Sequence, residues 1–148
     1  MKLHKVLCPI DFSPTSDNAL RLAAALARES QAELAIVYVD EGPLAYDAGI
    51  AGFVESQEDQ ISTSQRLKAA GNSVHGVNWH DHQLQGDPAD EIVRLAEEEG
   101  VDLIVMATHG HTGLMRVLMG SVAESVVRRA PCPVLTLKQP AVIADDSE

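Results

Sequence analysis

The stretch Val101–Ser121, VDLIVMATHGHTGLMRVLMGS, decides how the chain is read. Val101 to Ala107 is an apolar run of strand character, and Gly110 and Gly113 mark a loop behind it. Gly120-Ser121 then opens a helix whose apolar face is Ala123, Val126, Val127 and Ala130. A strand that runs through a glycine loop into a helix N-terminus is suited to an anionic phosphate. Backbone N–H groups converge there, and the helix end carries partial positive charge.

Working outward, Pro131-Cys132-Pro133 stops that helix and Val134 to Lys138 reads as a closing strand. Upstream, Asp87 and Pro88 form a helix start, with Ala89, Ile92, Val93 and Ala96 as its apolar face and Gly100 as its stop. Val74 to Leu84 reads as a more polar strand, placed at a sheet edge. Glu58 to Ala70 has weak helical periodicity ending at Gly71-Asn72, and the Gly/Ala-rich stretch from Leu44 reads as a long loop. Glu33 to Val39 is almost continuously apolar, as in a parallel strand covered on both faces. At the start, Lys5 to Ile10 is a buried strand ending at Asp11, and Ser13-Pro14-Thr15-Ser16 supplies caps for a helix bearing Ala19, Leu22, Ala23, Leu26 and Ala27. Strands thus alternate with helices, which predicts an α/β fold with a parallel sheet and helices on both faces. Ligands of such sheets bind beyond the carboxyl ends of the strands, where strand order reverses.

Composition narrows the functions. The chain of 148 residues is the size of one domain, and its 45% apolar content excludes a disordered chain. No apolar run approaches the roughly 18 residues of a membrane span. Pro9 and Asp11 interrupt the N-terminal apolar stretch, so it reads as neither secretory signal nor anchor, and a cytoplasmic location is expected. Acidic residues outnumber Lys+Arg by 22 to 11, which argues against nucleic acid or an anionic membrane as partner. A net charge of -11 repels a nucleotide at long range, so binding must rest on local backbone donors and a divalent cation. Cys8 and Cys132 read as free buried thiols, with a regulatory disulfide as the alternative. His80 and His82, at i and i+2 on a strand, would share a face and could supply half of a metal site, with His75 and His4 as further candidates; with no cysteine nearby and the strand at an edge they read as solvated histidines, and no metal is assigned. A Walker phosphate loop and a dinucleotide glycine fingerprint are both absent.

Ala107, Gly110 and Gly120-Ser121 follow a pattern of glycine, two residues, glycine, nine residues, then glycine and Ser or Thr, with Ala107 in place of the first glycine. With KVLCPIDFS at the start and ATHGHTGLMRVLMGSVAESVVRRAPCPVL near the end, the chain resembles the nucleotide-binding branch of the universal stress proteins. The resemblance covers the chain apart from residues 44–72 and the acidic tail at 139–148. It implies a single-domain three-layer sandwich, adenine nucleotide alpha-hydrolase-like, with a five-stranded parallel sheet of order 3-2-1-4-5. It implies ATP, with Mg²⁺ as a companion, as the ligand. Pro9, Asp11 and Val39 would hold the adenosine part, Met106 and Ala107 would line adenine and ribose, and Gly110, Gly120, Ser121 and Val122 would hold the phosphates. It also implies a homodimer paired through Val134–Leu137. A regulatory module read out by nucleotide occupancy is expected, with no catalytic residues assigned. A slow hydrolase or nucleotidyl-transfer enzyme in the same crevice, or a ligand-free interaction module, is the alternative. Phe12-Ser13-Pro14-Thr15 stands where related nucleotidyl-transfer folds carry H-x-G-H, which counts against the enzyme.

Overall fold

A computed structural model of the chain describes residues 2–41, 57–108 and 120–138. Among the described residues five strands alternate with four helices: β1 (Lys5–Pro9), α1 (Pro14–Ser30), β2 (Glu33–Asp40), α2 (Gln57–Asn72), β3 (Asn78–Gln85), α3 (Pro88–Glu99), β4 (Leu103–Ala107), α4 (Ser121–Arg129) and β5 (Val134–Leu137). The sheet is parallel throughout and ordered β3-β2-β1-β4-β5, as expected. The order reverses between β1 and β4, which lie side by side.

The nearly continuous apolar runs follow from cover on both faces. Side chains alternate across a strand, so Val6, Cys8, Leu34, Ile36 and Val105 face α1 and α2, while Leu7, Ala35, Val37, Ile104 and Met106 face α3 and α4. The first face meets Ala19, Ala23 and Ala27 of α1 and Leu67 of α2. Small alanines let α1 lie close on the sheet centre. The second face meets Ala89, Ile92, Leu95 and Ala96 of α3 with Ala123 and Val126 of α4.

The helix signals act as read. Ser13 caps α1 by accepting the Ser16 N–H at 3.2 Å, and Asp87 caps α3 by accepting the Asp90 N–H at 2.9 Å. Gly100 ends α3 at φ 65, a left-handed conformation that glycine adopts without Cβ strain. Two expectations shift. The third strand starts at Asn78 rather than Val74, because Val74 still bonds back to Gly71 O as α2 unwinds. Gly71 lies within α2, which ends one residue later, and its backbone packs against the Trp79 ring. Both cysteines are free. Cys8 is wholly buried on one sheet face and Cys132 packs on the other, so the sheet separates them.

Candidate nucleotide crevice

Beyond the carboxyl end of β1 the chain makes a tightly held turn. Asp11 donates its N–H to Ser16 Oγ at 3.2 Å, and its Oδ1 accepts the Ser13 N–H at 3.0 Å. Between them Phe12 adopts φ 68, which costs a non-glycine residue on the order of 1 kcal/mol. Contacts on its ring hold it there: Phe12 stacks on Tyr38 of β2 with centroids 5.0 Å apart, and the Arg66 guanidinium of α2 lies 4.1 Å over the Phe12 ring. Strain is thus sustained where the chain throws Asp11 out at the strand end. Asp11 is not the α1 cap, since Ser13 fills that role.

The neighbouring strand ends in a second tied turn. Thr108 is buried, donates its N–H to Leu137 O at 2.9 Å, and accepts the Gly120 N–H on its own carbonyl at 2.8 Å. The last bond holds Gly120 to Thr108 and fixes where α4 begins. The helix then starts with Glu124 N–H on Gly120 O at 2.9 Å. Gly120 is the N-cap and makes no side-chain cap bond, unlike Ser13 and Asp87 at α1 and α3. Among the described residues, no cap side chain accepts from the first-turn N–H groups of α4, at Ser121, Val122 and Ala123, as Ser13 and Asp87 do at α1 and α3. An anionic oxygen suits them.

The predicted site residues separate into three groups. Pro9, Asp11, Val39, Ala107, Gly120, Ser121 and Val122 all sit at strand carboxyl ends or at the α4 start, and each is at least half-buried except Ser121, which is exposed. Met106 is different: its side chain is buried under α3 and α4, so only its backbone faces the strand end. Gly110 lies outside the described residues, as do His109 and His111. Ala107 raises no backbone difficulty. It is the last residue of β4, paired with Leu137, and Phe12 and Gln31 are the non-glycine residues with positive φ among those described. Extended backbone takes alanine as readily as glycine.

Sequence reasoning missed Phe12, Tyr38, Arg66 and Thr108. The Tyr38 hydroxyl is held above its ordinary pKa, first by burial and then by Asp40, Asp11 and Glu41, with Arg66 opposing. Three carboxylates and one guanidinium thus act on a single point beside the crevice. Of these, Thr108 alone had a signal, its place between Ala107 and Gly110 in the glycine motif. Arg66 lies on the weakly periodic α2 and has no such marker.

With this geometry in place, comparison with known proteins is informative. The sequence model of the Universal stress protein family matches residues 2–138. The chain belongs to that family. Universal stress protein MJ0531 of Methanocaldococcus jannaschii is 39% identical over 142 residues, covering 92% of this chain and 82% of its own. The solved structure of protein MJ0577 superposes with a TM-score of 0.81 at 29% identity, covering 95% of this chain and 99% of that one. Two other solved relatives carry nucleotides. The Archaeoglobus fulgidus universal stress protein in complex with dAMP has a TM-score of 0.69 at 26% identity, covering 92% and 98%. A universal stress protein in complex with cAMP has a TM-score of 0.62 at 28% identity, covering 93% and 98%.

Proposed function

We propose that this protein is a cytoplasmic, ATP-binding regulatory module whose nucleotide occupancy is read by a partner. The observation that carries the reading is the start of α4, where Gly120 offers no cap side chain and is pinned by its bond to Thr108 at the end of the strand beside β1, which delivers Asp11. Phosphate oxygens would accept from the N–H groups of Ser121 and Val122, and Asp11 would accept from a ribose hydroxyl. Pro9, Val39 and the backbone at Met106 and Ala107 would line the adenosine. Gly110 belongs to the phosphate set by its place in the motif. Relatives bound to dAMP and cAMP support adenine nucleotide as the class, since adenine on a phosphorylated pentose is what those ligands share with ATP. Mg²⁺ bound with the nucleotide would supply positive charge between its phosphates and the carboxylates at this end of the sheet, such as Asp11.

A homodimer through β5 forms part of the proposal. That strand is a sheet edge, and Leu135 on it is 39% exposed. An apolar edge strand favours pairing with another chain. Leu135→Lys should move the protein to monomer in sedimentation velocity; an unchanged mass would place the interface elsewhere.

The nucleotide reading is tested by denaturing purified protein, identifying what is released by mass spectrometry, and titrating nucleotide-free protein with Mg-ATP. Gly120→Val should abolish binding and leave the circular dichroism spectrum unchanged, because Gly120 has φ -66 and ψ 160, a conformation valine accepts. Binding that survives this change would show the phosphates to lie elsewhere, and wild-type protein that takes no adenine nucleotide would sink the reading.

A further inference from the structure

His80 and His82 are only partly solvated: the His80 side chain keeps 41% exposure, while one ring nitrogen of His82 is shut off from water. They lie on the α3-facing side of edge strand β3, opposite Ala35 and Val37 of β2, and both are half-buried. Their rings meet edge to face with centroids 5.1 Å apart. Glu99, the last residue of α3, brings its Oε1 to 3.7 Å from His80 Nε2. One donor atom from each of the three residues falls within 4.8 Å of the others. His82 Nε2 is shut off from solvent and has no hydrogen-bond partner among the described residues. A buried imidazole nitrogen without a partner costs about 1–3 kcal/mol, which a ligand at that atom would relieve.

We infer that His80, His82 and Glu99 form a site for a divalent transition-metal ion of the Zn²⁺ class. Two imidazoles and one carboxylate are the donor set such an ion accepts, with a water completing the four positions. Bonds of about 2.0–2.1 Å at tetrahedral angles put donor atoms roughly 3.3 Å apart. The His80–Glu99 pair is near that separation already, and side-chain rotation closes the remainder.

Lys5 is the competitor. Its Nζ donates to Glu99 Oε1 at 3.0 Å, and a metal would displace it from that oxygen. Glu33, whose Oε1 lies 3.7 Å from the same ammonium, is positioned to keep the displaced lysine. The site therefore exchanges one ion pair for another rather than stranding a charge. It is also separate from the nucleotide crevice: β3 is two strands from β1, and Glu99 and Lys5 lie toward the amino ends of the strands. A bound ion would tie the sheet edge to the end of α3.

The test uses the full chain, stripped of metal with EDTA and titrated with Co²⁺ and Zn²⁺. One equivalent of Co²⁺ should develop the visible absorption of a four-coordinate nitrogen–oxygen site, which Zn²⁺ then bleaches. His80→Ala and His82→Ala should each weaken binding by more than the roughly 10- to 100-fold that loss of an outer-shell partner costs. Glu99→Gln should weaken it, Lys5→Met should strengthen it, and His75→Ala should leave it unchanged. Zn²⁺ at 100 times its dissociation constant should raise the folded-to-unfolded ratio about 100-fold and lift Tm accordingly. Where a histidine variant folds poorly, imidazole ¹⁵N shifts of His80 and His82 in the wild-type protein give the same answer. Absence of stoichiometric Co²⁺ binding, or equal binding by the double histidine variant, overturns the assignment and leaves the nucleotide reading untouched.

Discussion

Replacing Gly71 by alanine sets two effects of opposite sign against each other. On helix propensity alone the change should stabilise α2 by up to about 1 kcal/mol. The packing opposes it. A Cβ built on Gly71 would lie 2.5 Å from each of three carbon atoms of the Trp79 six-membered ring, Cε3, Cη2 and Cζ2. Ordinary carbon contacts are about 3.5–4.0 Å, so the shortfall exceeds an ångström against a rigid ring. Trp79 is anchored in β3, paired with Leu34, and packs on the core that holds Leu67, so α2 must lift from the sheet or the indole must leave its place. Overpacking costs about 1–3 kcal/mol, and a shortfall this large belongs in the upper half of that range. After the propensity gain, Gly71→Ala should destabilise the protein by about 1–2 kcal/mol. In urea, with m of about 2 kcal/mol/M, the midpoint falls by roughly 0.5–1 M. Gly71→Ala combined with Trp79→Leu should recover about 1 kcal/mol relative to the sum of the single changes. Because α2 carries Arg66 onto Phe12, the single variant should also weaken nucleotide binding. An unchanged or higher urea midpoint for Gly71→Ala would refute the packing argument.

Asp102 joins the two edges of the β1–β4 pairing through N–H groups of His4 and Lys5, at 2.7 and 3.0 Å, and these bonds hold its pKa below 3.8. Its contribution is therefore complete above pH 3.8 and is lost as pH falls through the lower folded value. Asp102→Asn should cost about 1 kcal/mol at pH 7, discounted for solvent screening, and should flatten the acid limb of a stability-against-pH curve; an unaltered limb would assign that loss to other carboxylates. Ala107→Gly should change nucleotide affinity by less than about threefold, since an extended strand residue has no strain for glycine to relieve, and a larger gain in a calorimetric titration would show steric crowding by the methyl group. Raising KCl from 50 to 300 mM should not weaken nucleotide binding, because the donors are backbone dipoles and the surrounding net charge of -11 is repulsive and screened by salt; a steep fall in affinity would mean a basic side chain carries the phosphates.

The fold was legible because each local signal acts within one element. Ser13, Asp87 and Gly100 terminate helices by bonds to their own turns, and continuous apolar runs such as Leu34–Val37 have one explanation in a sheet covered on both sides. The α4 start was legible for the same reason, since Gly120-Ser121 shapes its own backbone. What escaped depends on contacts between distant segments. Gly71 read as a helix stop, and only the approach of Trp79 reveals its packing role. Arg66 carries no mark of its place over Phe12, and nothing in the sequence brings Glu99 to His80 from the far end of α3.

The crevice residues also explain how an acidic protein can be suited to an anionic ligand. Asp11, Asp40 and Glu41 all act on Tyr38, so the carboxyl end of the sheet beside β1 and β2 is negative, relieved by Arg66. The α4 start lies on the other side of β1, after β4, where the backbone supplies N–H donors and Gly120 adds no side chain of its own. Negative and positive regions are therefore divided by the strand reversal. On the proposed reading, a ligand anionic at one end and a neutral hydroxylated sugar at the other would match this division, with its phosphates toward α4 and its sugar toward Asp11. A bare phosphate would gain the α4 contacts and nothing from Asp11. A free nucleoside would gain the reverse. If the proposed site holds, the polarity of the crevice would favour a nucleotide over either of its parts.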